Sequence, residues 1–159
     1  MTSDAFDAEV VVIGAGVVGL AVAQRLASDG RSVIVVERHE GLARETSSHN
    51  SGVVHASIYY ETGSLKHRLC WEGNARIYEW CDAHSVPVLR TGKIIVALTE
   101  DERAGLDDVW QQAVANGVRG VERITAERAR ELEPHVPTVE AIWSPSTGVV
   151  DAFALARSY

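Results

Sequence analysis

Three glycines and one acid carry the first chemical signal in this sequence. Gly14, Gly16 and Gly19 have the spacing G-x-G-x-x-G, and Glu37 follows about 20 residues on. Gly14 permits a tight turn, Gly16 lets the backbone approach a pyrophosphate with no Cβ in the way, and Gly19 lets a following helix pack closely on a strand. A helix opening at such a turn points free N–H groups and its positive end outward, which suits phosphate. At the position of Glu37 a carboxylate accepts hydrogen bonds from ribose hydroxyls and disfavours a 2′-phosphate. The combination predicts a site for an ADP moiety. The spacing does not choose between NAD and FAD, because both present ADP to the same turn. The bland alternative is a glycine turn followed by an ordinary surface glutamate.

The elements around these residues decide against that alternative. Glu9 to Ile13 is a short β-branched run that reads as a buried parallel strand, and Ser32 to Glu37 reads as a second. Between them Val17 to Asp29 reads as a helix ending at Gly30, so strand, helix and strand form one βαβ unit. After Gly52 the pattern changes. Val53 to Tyr60 is an apolar and aromatic run, and a helix is expected after Ser64 with Leu65, Leu69, Ile77 and Trp80 near one face. Val88 to Arg90 and Lys93 to Leu98 are candidate strands. Thr99 to Glu102 has the form of a capping box opening a helix towards Gly117. Thr125 is a candidate cap for a short helix ending before Pro134, Ala141 to Ser144 is a candidate strand, and Asp151 is placed to cap a last helix. The four tryptophans, Trp71, Trp80, Trp110 and Trp143, are expected to pack in the core or at an interface.

Composition narrows the classes further. The 159 residues are 46% hydrophobic and 23% charged, ordinary for a folded domain, and the net charge of −7 argues against nucleic-acid binding. Cys70 and Cys81 have no metal-ligand spacing and are too few for a disulfide framework, so no metal and a reducing, cytoplasmic setting are expected. Met1-Thr2-Ser3-Asp4 lacks the positive start of a secretory leader. Val10 to Ile13 is far too short to span a bilayer, which leaves peripheral membrane contact open.

From Thr46 onward the sequence resembles one branch of the D-amino-acid oxidase-like superfamily. The residues that carry the resemblance are Thr46 to Tyr60 (TSSHNSGVVHASIYY), Ser64-Leu65-Lys66, Leu69-Cys70, Gly92 to Ala97 and Ser144 to Asp151. Together they resemble the N-terminal part of L-2-hydroxyglutarate dehydrogenases and oxidases. The resemblance implies FAD as cofactor and oxidation of an L-2-hydroxy dicarboxylate to its 2-oxo acid. It also implies that the loop after the second strand runs along the pyrophosphate, making Thr46, Ser47, Asn50 and Ser51 cofactor contacts, with Arg38 beside the ADP ribose.

His55 is the candidate catalytic residue. Oxidation of a secondary alcohol needs the hydroxyl proton removed as hydride leaves carbon, and a histidine with a reference pKa of about 6.5 is largely neutral near pH 7. The competing reading is a hydrogen-bonded core histidine or a flavin neighbour with no part in proton transfer. Tyr59, Tyr60 and Lys66 are candidate substrate contacts, and adjacent strand residues would point opposite ways. Arg90 and Lys93 are further possible carboxylate partners.

The expected fold class is α/β: a Rossmann-like FAD-binding βαβ unit plus part of a mixed or antiparallel substrate-domain sheet, incomplete as an enzyme. Residues 1–60 are expected to belong to the FAD-binding domain, 61–150 to lead into the substrate domain, and 151–159 to begin a returning helix. By the resemblance, roughly the second half is absent, so the chain alone is expected to be inactive and to self-associate or pair with a complementary C-terminal chain. The alternatives carried forward are a fragment of an FAD-dependent amine or amino-acid oxidase, and a non-catalytic nucleotide-binding subunit.

Overall fold

The computed structural model describes residues 8–159, which fall into two compact units. Met1-Thr2-Ser3-Asp4, read above for a leader, lies outside the described residues.

One unit comprises the described residues up to Gly52, His84–Pro87 and Val150–Tyr159. Strand β1 (Val10–Ile13) pairs in parallel with β2 (Val33–Val36), in the register Val10 to Val33 through Ile13 to Val36. Helix α1 (Val17–Ser28) joins them and packs on both. Two-residue alternation then sorts the side chains: Val10, Val12, Val33 and Val35 are partly covered, while Val11, Ile13, Ile34 and Val36 lie on the open face. The continuous apolar runs predicted burial on both faces, and here only one is covered. Ile13 is 87% exposed. Gly30, at φ +84°, ends α1 with its N–H on the Ala27 carbonyl and the Arg31 N–H on that of Leu26. Helix α5 (Ala152–Ser158) packs against α1, and the Asp151 carboxylate caps it by accepting from the N–H groups of Phe153 (3.0 Å) and Ala154 (2.8 Å).

The other unit holds Val53–Ala83 and Val88–Val149. Strand β3 (Val53–Val54) is followed by helix α2 (Leu65–His84), β4 (Val88–Leu89) and β5 (Lys93–Ala97). Helix α3 (Arg103–Ala115), strand β6 (Glu122–Thr125), helix α4 (Ala126–Leu132), β7 (Glu140–Ser144) and β8 (Gly148–Val150) come next. One sheet has the order β3-β8-β4 and the other β5-β7-β6, with β7 antiparallel to both neighbours. The candidate strand at Lys93 to Leu98 thus forms over Lys93–Ala97, in an antiparallel sheet. Alternation along β5 splits the core into two layers. Ala97 and Ile95 pack with Leu106 and Val109 of α3, and Ile94 and Val96 pack with Ala129 and Leu132 of α4.

Two local readings need correction. The buried face of α2 is Asn74, Tyr78 and Cys81, while Leu65 and Leu69 are 66% and 59% exposed. The Thr99 capping box does not close: a 3₁₀ turn (Glu100–Glu102) precedes α3, Thr99 makes no side-chain cap, and Glu102 accepts from the Leu98 N–H at 2.6 Å. The Thr125 cap does form, with its hydroxyl accepting from the Arg128 N–H.

Candidate nucleotide cleft and histidine recess

The glycine turn is built from backbone contacts first. Gly14 has φ +102°, a conformation that favours glycine, and its N–H donates to the Val36 carbonyl at 2.7 Å, tying the turn to the end of β2. A Cβ on Gly19 would lie 2.1 Å from the Gly14 carbonyl oxygen, so this residue must be glycine for α1 to sit where it does. Gly16 is the N-cap of α1, in extended conformation, and a Cβ there would lie 3.1 Å from the Ser47 hydroxyl.

Two side chains meet N–H groups of this turn. Glu37 Oε2 accepts from the Ala15 N–H at 2.7 Å and Oε1 from the His39 N–H at 3.0 Å. The Ala15 bond, then the His39 bond, hold the Glu37 carboxyl below the usual carboxylate range. Ser47 Oγ accepts from the Val17 N–H at 3.0 Å. The N–H groups of Gly16, Val18 and Gly19 have no protein acceptor among the described residues, as the first turn of a helix requires.

Gly14, Gly16, Glu37 and Ser47 border an open cleft of about 450 Å³. Of the expected cofactor residues, Gly14, Gly16, Glu37, Arg38, Thr46 and Ser47 line it; Gly19, within α1, faces Gly14 and Val12 instead, and Asn50 and Ser51 do not reach its wall. Asn50 shapes the loop instead: its amide donates to the carbonyls of Thr46 (3.1 Å) and Ser47 (3.0 Å), and its oxygen accepts from the Gly52 N–H. The sequence reading missed His39, Ala43, Arg44 and Glu45, which also line the cleft. Glu45 gathers the Arg38 guanidinium and His39 Nε2 (2.8 Å), and those two partners, His39 first, lower its pKa. The acid eight residues after Glu37 was the available signal, because it could pair with Arg38.

In the other unit the chain leaves β3 and lines a small recess with His55, Ala56, Tyr59, Tyr60, Lys93 and Thr147. His55 is exposed, which corrects the core-histidine reading. Partial desolvation of its ring, then the charges of Lys93 and Lys66, push its pKa below the ordinary histidine value and favour the neutral base. Lys93 Nζ stands 4.4 Å from the Tyr59 ring centroid and Lys66 Nζ 4.5 Å from that of Tyr60. Burial, then Cys70, raises the Tyr60 phenol. Arg90 is engaged elsewhere, stacked at 3.9 Å on Tyr78 and paired with Asp82. The recess thus gathers one histidine, two phenols and the Lys93 ammonium, a set suited to a carboxylate that carries a hydroxyl, while Lys66, an expected substrate contact, stands outside its lining, over the Tyr60 ring. Among the described residues no cluster fits a metal ion, and no helix is long and apolar enough to cross a membrane.

Comparison with known proteins agrees with the glycine turn. Residues 9–159 match the family model described as FAD dependent oxidoreductase. The chain is 44% identical over 145 residues to an L-2-hydroxyglutarate dehydrogenase, mitochondrial, of Caenorhabditis elegans, covering 90% of this chain and 34% of the relative. It superimposes with a TM-score of 0.87 on an FAD-bound L-alpha-glycerophosphate oxidase from Mycoplasma pneumoniae, at 28% identity, covering 95% of this chain and 41% of the other. A glycine oxidase from Bacillus cereus gives a TM-score of 0.78 at 25% identity, with 95% and 43% covered. The chain spans about a third of the length of the curated relatives it matches, less than the half suggested by the resemblance.

Proposed function

Since this chain belongs to the FAD dependent oxidoreductase family, we propose that it supplies the ADP-binding turn and the proton-accepting histidine of an enzyme that oxidises an L-2-hydroxy acid, L-2-hydroxyglutarate, to the 2-oxo acid. The observation that carries the reading is the glycine turn with Glu37, because its groups fit the ADP half of FAD. The unpaired N–H of Gly16, which lines the cleft, suits a phosphate oxygen, and the Glu37 carboxylate suits ribose hydroxyls. Arg38, Thr46 and Ser47 border the same space, while Asn50 acts through loop shape.

When bound, FAD would supply the two-electron acceptor that oxidation of the alcohol carbon needs. His55 takes the hydroxyl proton, a task its lowered pKa favours, and so balances the step. Lys93 and Lys66 neutralise the substrate carboxylates, and Tyr59 and Tyr60 bound the recess. The relatives named as L-2-hydroxyglutarate dehydrogenases support the hydroxy-acid reading. The likeness to a glycine oxidase supports the rival reading, an amine substrate that needs no alcohol base.

The open apolar face of β1 and β2 favours a second role, a nucleotide-binding part that acts only with a complementary polypeptide. The free thiols Cys70 and Cys81 support a reducing compartment such as the cytoplasm.

The test is an absorbance spectrum after adding FAD and gel filtration, on the unmodified chain and on Gly16→Val. Bands near roughly 370 and 450 nm, retained by the first and lost by the folded second, are expected. Equal retention by both would overturn the placement of the cofactor at this turn. In a version carrying the complementary part, L-2-hydroxyglutarate should bleach the 450 nm band, and bleaching by glycine alone would decide for the amine reading.

A further inference from the structure

The segment from His55 to Tyr60 is held without the aid of a sheet. It leaves the two-residue β3, passes through Ser57 at φ +67°, and buries Ala56, Ser57 and Ile58. A buried segment outside a strand ladder must find hydrogen-bond partners for its carbonyl groups elsewhere.

Two buried amides provide them. Asn74 of α2, 6% exposed, donates to the His55 carbonyl at 3.1 Å and to the Ser146 carbonyl at 2.8 Å. Asn116, just past α3 and 3% exposed, donates to the carbonyls of Ser57 and Tyr60, both at 2.8 Å. Its own oxygen accepts from the Thr62 hydroxyl at 2.7 Å and from Gln112 Nε2 at 3.1 Å. Gln112 reaches the Tyr60 carbonyl as well, at 3.0 Å. The Ser57 hydroxyl donates to the His67 carbonyl, and the His67 ring bridges the Gly63 N–H and the Asn116 carbonyl. The carbonyls bound by Asn74, Asn116 and Gln112 are those of His55, Ser57 and Tyr60 in the recess segment and that of Ser146 in the turn before β8.

We propose that Asn74 and Asn116 are positioning residues whose buried amides fix the His55 to Tyr60 segment, and with it the histidine and both tyrosines of the recess. An amide can donate twice from one point, so each asparagine ties two backbone sites that are distant from it in sequence. A valine or leucine in place of Asn116 would fill the volume but leave the buried Ser57 carbonyl unpaired and Tyr60 on Gln112 alone, and one in place of Asn74 would leave His55 only the Cys70 thiol and Ser146 only the Tyr78 hydroxyl. The catalytic meaning of the proposal rests on the hydroxy-acid reading; the geometry it asserts does not.

The test is NMR on the full 159-residue chain, comparing the unmodified protein with Asn74→Ala and Asn116→Ala. The ring currents of Tyr59 and Tyr60 should move the ε-methylene protons of Lys93 and Lys66 upfield in the unmodified chain. In Asn116→Ala these shifts should be lost, and in Asn74→Ala the His55 ring signals should move, while the amide signals of β5, β6 and β7 stay native. Unchanged lysine shifts and His55 signals in folded variants would overturn the proposal. If the variants do not fold, the unmodified chain decides. Side-chain amide protons of Asn74 and Asn116 exchanging about tenfold or more slowly than those of exposed Asn50 support it, and equal rates overturn it. No cofactor or substrate enters these measurements, so failure of the oxidoreductase reading would be seen separately.

Discussion

Gly19→Ala should loosen α1 far more than Gly16→Ala, although both alter the same motif. The added Cβ at residue 19 would stand 2.1 Å from the Gly14 carbonyl oxygen, more than about 1 Å short of ordinary contact. The obstacle is backbone, and it is pinned: the Gly14 N–H is bound to Val36 and the Ala15 N–H to Glu37. Overpacking of this kind costs about 3 kcal/mol, of which about 1 kcal/mol returns through the better helix propensity of alanine. The net loss is about 2 kcal/mol. At residue 16 the new Cβ would meet only the Ser47 hydroxyl at 3.1 Å, in an allowed backbone conformation, and the poorer cap costs about 0.5 kcal/mol. All four tryptophans lie in the other unit, so fluorescence would not see the change. Amide hydrogen exchange along α1, without ligand, is the suitable assay. Gly19→Ala should speed exchange about 30-fold and Gly16→Ala only about twofold. Equal protection in the two variants would refute the assignment of Gly19 to helix packing and Gly16 to cofactor approach.

Two further outcomes follow from the same geometry. Gly92, at φ +69°, would place a Cβ 1.8 Å from the Trp143 ring, so Gly92→Ala should cost about 1–2 kcal/mol from backbone conformation alone and displace the indole. A thermal melt followed by tryptophan emission tests this, and an unchanged spectrum with unchanged Tm would refute it. Glu37 should give the chain an acid-sensitive contribution. Its folded pKa lies below the unfolded value, so the stabilisation is present above the ordinary carboxylate range and is lost as pH falls through the depressed value. Urea melts at about pH 7 and about pH 3 should therefore show a smaller loss in Glu37→Gln than in the unmodified chain; equal losses would remove Glu37 from the acid response.

How much of this was legible in the sequence follows from where each element finds its partners. The β1, turn, α1, β2 and Glu37 series could be read because its contacts are local and each residue type has one physical task. Gly14 turns, Gly19 yields space to a carbonyl, and β-branched runs make strands. Strand β6 was hidden because only Ile124 of its four residues is buried; Glu122 and Arg123 face outward along an edge. The face of α2 was misread for a related reason. Asn74, Tyr78 and Cys81 do recur at helical spacing, but a polar residue marks a buried face only when its hydrogen-bond partners are known. Those partners, the carbonyls of His55 and Ser146, lie 19 and 72 residues away. The same holds for the recess. The types of His55, Tyr59 and Lys93 suggested their chemistry, but their meeting depends on a carbonyl network that no periodicity encodes. Sequence patterns reveal what is paired through regular backbone; here the proposed catalytic segment is paired through side chains, so its architecture emerges only from the fold.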